Sequence, residues 1–392
     1  MIDARLRLLP LLFLSVFLLV GCQEYPSADD MPSADEADNA IVHETPPSVI
    51  EKVSVARPDV DRKNRLKVIE YPNRQVLELR IGPVDLETED KSHYRSPAYL
   101  ARFPFDGYLH GFDWKITASA PKKRVPDRML HHLNIVSPNT RELFVPMAQR
   151  LLAAGRETPK QSISAVVGRP FEEGETMVAV GKFHHATKHD WEDAVLHIYL
   201  HYTKTNERWI APWAAQPFYL DVMSPTGQDT EAGEFQKDFP VPPGRTEKTW
   251  TGSPSVDGSI VGIGGHLHDY GSLLRLEDLT TGEVLWETEP VTGKNGHHVK
   301  SVPSERFIWS GGIDMQADHR YRFTAVYENP TDEPSAHRGM GAMGGLFIPE
   351  SLWPTPDKTN RTYLEELASF MSGGSPSERL PAARTTTTSS LE

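Results

Sequence analysis

Val195-Leu196-His197-Ile198-Tyr199-Leu200-His201-Tyr202 alternates aliphatic residues with aromatic and histidine side chains. A period of two in a run rich in branched and aromatic residues marks a β-strand with one face on a core. The same pattern recurs in Val76-Leu77-Glu78-Leu79-Arg80-Ile81, Phe218 to Val222, Val261 to Ile263, Leu273 to Leu276 and Tyr321 to Tyr327. Pro and Gly separate these runs at short intervals, and Thr280-Thr281-Gly282 between two of them predicts a hairpin turn. There is no βαβ rhythm and no fixed repeat. The expected fold is mainly β: two antiparallel β-sandwich (jelly-roll-like) domains with few short helices. Residues 59–214 and 215–355 form the expected domains, divided near the Pro/Ala-rich stretch Ala211 to Gln216. Helix is expected at Met147 to Ala154, closing on Gly155, and at Thr362 to Met371, closed by Gly373-Gly374.

The ends differ in character. Arg5 and Arg7 precede an apolar run, Leu8 to Val20, that is too short and too early for a stable membrane span. It ends in Leu19-Val20-Gly21-Cys22, which resembles a lipobox, with residues 1–21 as signal peptide and Cys22, the single cysteine, acylated. Several acyl chains on one residue give firm anchoring. Gln23 is not the aspartate associated with inner-membrane retention, so the expected address is the cell envelope, at the outer membrane facing the periplasm. Residues 22–58, rich in Pro, Ser, Asp and Glu, read as a disordered acidic tether. Residues 356–392 read as a short helix and a low-complexity tail. With its cysteine lipidated the folded part has no disulfide, so its stability must come from a core. A net charge of −13 repels phosphates and argues against nucleic-acid binding.

The chemistry-bearing signal is the histidine content, 16 residues in clusters. His266-Leu267-His268 follows Gly264-Gly265; residues i and i+2 on a strand share a face, about 7 Å apart, and both imidazoles can reach one metal. His131-His132 are neighbours, which a regular strand points in opposite directions, so they can share a metal only where the strand ends or bulges. His184-His185 and His297-His298 are further adjacent pairs and serve as internal controls. Met343 lies in a glycine-rich stretch before an apolar run. A methionine there is commonly core filler. As a ligand beside two imidazoles it makes a soft, low-charge set suited to Cu(I) rather than zinc.

In this order the pieces resemble the copper type II, ascorbate-dependent monooxygenases, typified by peptidylglycine α-hydroxylating monooxygenase and dopamine β-monooxygenase. The match runs over roughly residues 100 to 350, with Pro242-Pro243-Gly244 where the family has its Pro-Pro-Gly turn. The resemblance implies two β-sandwich domains with two copper ions per chain. One would be held by His131, His132 and His201, with His185 or His197 as alternatives to His201; the other by His266, His268 and Met343. It further implies that the second copper uses O₂ to attack a C–H bond of a small-molecule or peptide substrate, while the first supplies an electron from ascorbate or another reductant. Catalysis would then rest on His266, His268 and Met343.

Two departures narrow that expectation. Where peptide-hydroxylating members carry an arginine and a tyrosine that grip the substrate carboxylate, this sequence has Gly264 and Phe347, which argues against peptidylglycine. The stretch from Pro138 to Lys182 matches nothing in the family. The alternative is a non-enzymatic copper-binding or copper-delivery lipoprotein; a β-sandwich binding module with incidental histidines is a third reading.

Overall fold

A computed structural model describes residues 25–31, 39–45, 65–87, 93–120, 124–155, 160–162, 166–184, 187–207, 210–225, 238–336 and 338–372. Cys22, His185, His337 and residues 373–392 lie outside them.

The chain is mainly β and forms two antiparallel sandwiches. In the first, a nine-stranded sheet centres on Val76–Leu86, Trp191–Lys204 and Gly107–Thr117, hydrogen-bonded side by side. It packs on a five-stranded sheet built around Thr176–His184, Leu130–Arg141 and Ala148–Ala154. Alternation sets the core: Leu196, Ile198 and Leu200 face Leu133, Ile135 and Met177 between the sheets, while His197, Tyr199 and His201 take the outer face. In the second, a sheet of Gln216–Asp221, Gly341–Pro349 and Gly258–Leu267 covers one of Gly244–Gly252, Tyr321–Asn329, Gly271–Asp278 and Glu283–Thr288. Ile263, Leu274, Phe323 and Phe347 fill the space between them. The hairpin expected at Thr280 to Gly282 joins the last two strands, with Gly282 at φ 79°.

Trp213–Ala214 pairs within the first sandwich and Gln216–Asp221 within the second, so the chain passes over at Ala215. The first sandwich also lends Leu143, Phe144, Val145 and Met147 to the second core, which ties the two bodies together. The helix Arg361–Ser372 returns to the first sandwich, where Tyr363 is buried against Leu100, Val136 and Val178.

Two expectations fail here. Met147 to Ala154 is not a helix: Ala148–Ala154 is a strand paired with Leu130–Arg141. Its Ala, Gln, Arg and Leu residues favour helix, but an open sheet edge and burial on both faces override that preference. The acidic segment is not wholly a tether either. Tyr25, Ala28 and Met31 are buried on the first sandwich, the Ala28 N–H donates to Asp113 at 2.8 Å, and Ile41–His43 adds a strand beside Val68–Tyr71. A few apolar anchors suffice to dock a polar segment when a sheet edge is available.

Glu142, fully buried where the sandwiches meet, accepts the N–H groups of Arg150 (2.6 Å) and Tyr219 (3.0 Å). Burial pushes its carboxyl up to about 7 from 4.5. An acid whose folded pKa exceeds its unfolded value holds its proton more tightly when native. That stability is fully present below about 4.5 and is lost as pH rises to about 7, on the order of 3 kcal/mol in all. Urea unfolding at pH 5 and pH 8 should show the parent weaker at pH 8, with most of the difference removed in Glu142→Gln; an unchanged difference contradicts the assignment.

Candidate metal centre

Register explains how both histidines of the 131–132 pair leave the core. Lys182 stands opposite His132, but Phe183 stands opposite Leu130, so His131 is an extra residue in a β-bulge. Leu130 and Leu133 both point into the first core, and the two residues between them project away from it. The imidazole centroids lie 4.1 Å apart at 59°. The His132 ring is held well below its ordinary pKa by burial first, and then by His131, His266 and His268. At neutral pH it is uncharged, the form that binds metals.

His266 and His268 approach from the second sandwich. A Cβ on Gly265 would lie 2.2 Å from Leu274 Cδ1, which places residue 265 on the core face together with Leu267. His266 and His268 therefore take the opposite face, with rings 4.9 Å apart at 87°. The His266 ring is 6.0 Å from that of His132, and His131 is 6.4 Å from His184. Five imidazoles, from His184 through His131, His132 and His266 to His268, thus form a row across the gap between the sandwiches. The last four line a cavity of about 1020 Å³.

His268 carries a further mark. Its Nδ1 lies 2.7 Å from the Arg338 carbonyl oxygen, which can only accept, so Nδ1 bears the proton. In the neutral ring the lone pair then sits on Nε2. A backbone carbonyl that fixes the tautomer in this way is the usual support of a metal-binding histidine.

Two expected ligands are placed elsewhere. His201 lies on the outer face of the nine-stranded sheet, fully buried and stacked on Tyr25 at 4.8 Å, with Tyr25 also stacked on His110 at 5.8 Å. Its neighbour Leu200 takes the inward position, so alternation turns His201 away from His131 and His132. His197, the alternative, is on the same outer face, between Glu78 at 2.6 Å and Thr117 at 2.8 Å. Met343 stands opposite Gly265 and shares its face: it is 1% exposed and packed in the second core, on the side away from His266.

On the histidine face, the position alongside His268 is that of Met340. Gly341 pairs with Leu267 and Ala342 with His266, so the residue before Gly341 comes alongside His268. Tyr327 Oη fastens the two together. It accepts the N–H groups of His268 and Met340, both at 2.9 Å, and donates to the Met340 carbonyl at 2.5 Å. Met340 and Met343 both line the cavity with His266 and His268, and it is register that puts Met340 on their face of the strand. Among the described residues no three His, Cys, Asp or Glu side chains converge on one point, so each histidine pair offers two nitrogens and needs another donor. At the second pair a thioether fits, giving a soft set suited to Cu(I).

Sequence reasoning treated His184 as a control and did not single out Met340. Their signal is register, which a single sequence does not print.

No protein-family model and no curated protein matches the chain. Among solved structures it is similar to the STIV MCP at 9% identity, over 66% of this chain and 97% of that one, with a TM-score of 0.33. It is similar to PNGF-II at 7% identity, over 73% and 63%, with a TM-score of 0.31. An oxalate decarboxylase of Bacillus subtilis follows at 8%, over 73% and 74%, with a TM-score of 0.12. Scores this low carry no argument about activity.

Proposed function

We propose that the chain is a lipid-anchored copper protein of the bacterial cell envelope that oxidises a C–H bond of an organic substrate with O₂ and an external reductant. The observation that supports this reading is the meeting of His131–His132 and His266–His268 across one cavity large enough for an organic molecule. His266 and His268, with the Met340 sulfur, would hold one copper; His131 and His132 would hold the other, with His184 the nearest further imidazole. Bound copper would supply the one-electron chemistry that O₂ reduction requires. The protein's own residues do the positioning. The Arg338 carbonyl aims His268, the bulge at His131 turns two rings toward the cavity, and burial keeps His132 neutral. Acylation of Cys22 would fix the chain to the outer membrane. Among the described residues no helix is long and apolar enough to cross one.

The placement of His201 and Met343 favours a second reading: a copper-binding or copper-delivery lipoprotein that performs no oxidation. Reductant-dependent O₂ consumption by the Cu(I)-loaded chain separates the two, since uptake supports oxidation and a copper-loaded chain without uptake supports delivery. The other histidine pair provides a control. His298 is engaged by Asp269 at 3.1 Å, and His297 stacks on Tyr270 at 4.8 Å. Replacing both by alanine should leave the copper content unchanged; loss of an ion would move the site to that pair.

A further inference from the structure

We infer that Lys182 and Arg95 form an anion site in the cavity beside His132, and that the organic substrate carries a carboxylate which docks there. The substrate role rests on the oxidation reading proposed above; the anion site itself does not. Lys182 stands directly opposite His132 on one side and Arg95 on the other. Residues directly opposite on neighbouring strands share a face. Phe183 fills the first core, and a Cβ on Gly181 would meet Leu196 and Phe183, both at 3.3 Å. The residues flanking Lys182 therefore turn inward, and Lys182 turns outward with His132 and Arg95. All three border the cavity.

The cavity is cationic in an acidic chain. The net charge is −13, yet six arginine and lysine side chains border the cavity against three carboxylates. Two of the six are neutralised, Arg169 by Glu175 and Arg338 by Asp238, both at 2.5 Å. Lys182 and Arg95 are not. Among the described residues neither forms an ion pair, and Asp238, the carboxylate that attracts Lys182, is already held by Arg338. Arg95 donates from Nη2 to the Phe370 carbonyl at 2.6 Å, and its Nη1 makes no hydrogen bond. Two half-buried like charges on neighbouring strands repel each other, and an anion beside them relieves that cost. A carboxylate brings the missing charge and two acceptor oxygens, one for the guanidinium and one for the ammonium. Leu367 and Phe370 wall the cavity here, which suits the hydrocarbon part of such a molecule. From its anionic end the molecule extends past His132 toward His266, whose ring lies 6.0 Å from that of His132.

The test uses the full chain after Cu(I) loading, a diamagnetic form in which saturation-transfer NMR reports ligand binding. The probes are hexanoate, octanoate and phenylacetate, each beside its uncharged amide, together with ascorbate, an anion without a carboxylate. Carboxylates should bind about tenfold more tightly than their amides. The Lys182→Gln/Arg95→Gln variant should lose that preference with amide binding unchanged, and Lys182→Arg/Arg95→Lys should keep it. Where the double glutamine variant does not fold, Lys182→Gln alone carries the comparison. No carboxylate binding or no preference in the parent, or an equal preference in the glutamine variant, overturns the site. Ascorbate held by the two cations in place of every carboxylate overturns the substrate role in favour of an anionic reductant. Copper content measured on the same samples keeps the two readings apart. A chain with two coppers and no carboxylate preference loses the anion site alone; a chain that prefers carboxylates but takes up no copper loses the copper reading and keeps the site.

Discussion

Replacing His266 and His268 together by alanine should leave the chain folded, lower its content from two coppers to one, and abolish reductant-dependent oxygen uptake. Both rings lie on the face of their strand that points away from the second core, and both border the cavity. Their removal therefore opens no hole among Ile263, Leu274 and Phe347, and the stability change should be no more than about 1 kcal/mol. The functional effect should be far larger, because two of the three donors at that site disappear together. Their order of importance follows from the supports. His268 is oriented by Arg338 and its backbone is fixed by Tyr327 Oη, whereas His266 stands nearer the opposing His132. Metal analysis after Cu(I) loading, with a melting curve on the same sample, reads both quantities. A double variant that keeps two coppers and full oxygen uptake removes the centre from this strand.

The two methionines should separate stability from metal binding. Met343→Ala deletes a buried side chain among Phe218, Leu274 and Phe347 and should cost about 2–5 kcal/mol, while Met343→Leu should cost less than about 1.5 kcal/mol. Neither should remove sulfur from the copper. Met340→Ile should do the reverse, with a small effect on unfolding and loss of the sulfur shell from the X-ray absorption spectrum of the Cu(I)-loaded chain. This division follows from register alone: position 343 shares a face with Gly265, and position 340 comes alongside His268. If Met343→Leu removes the sulfur shell and Met340→Ile does not, the strand pairing described here is wrong at that point.

The sandwiches were legible because alternation is a local property. Val195 to Tyr202 states by itself which residues enter a core, and the structure places Leu196, Ile198 and Leu200 there. The segment from Ala148 to Ala154 misled for the converse reason: its local preference is helical, and only a distant strand edge makes it extended. For the site, the i, i+2 spacing sufficed to put His266 and His268 together. The difficulty noted for His131 and His132 has a structural answer in the bulge opposite Lys182 and Phe183. What stayed hidden was relative orientation. His201 belongs to a correctly read strand but to its outer face, and Met343 to a strand whose inward face is the core. Face assignment depends on the neighbours across the sheet, which spacing along the chain does not encode.

Crystals of the Cu(I)-loaded chain, measured across the copper absorption edge, test the central claim most directly. Anomalous density should mark one ion at His266 and His268 with the Met340 sulfur beside it, and a second at His131 and His132, both bordering the cavity between the sandwiches. Copper density found only elsewhere, or none at these four imidazoles in a chain that binds copper in solution, would contradict the account.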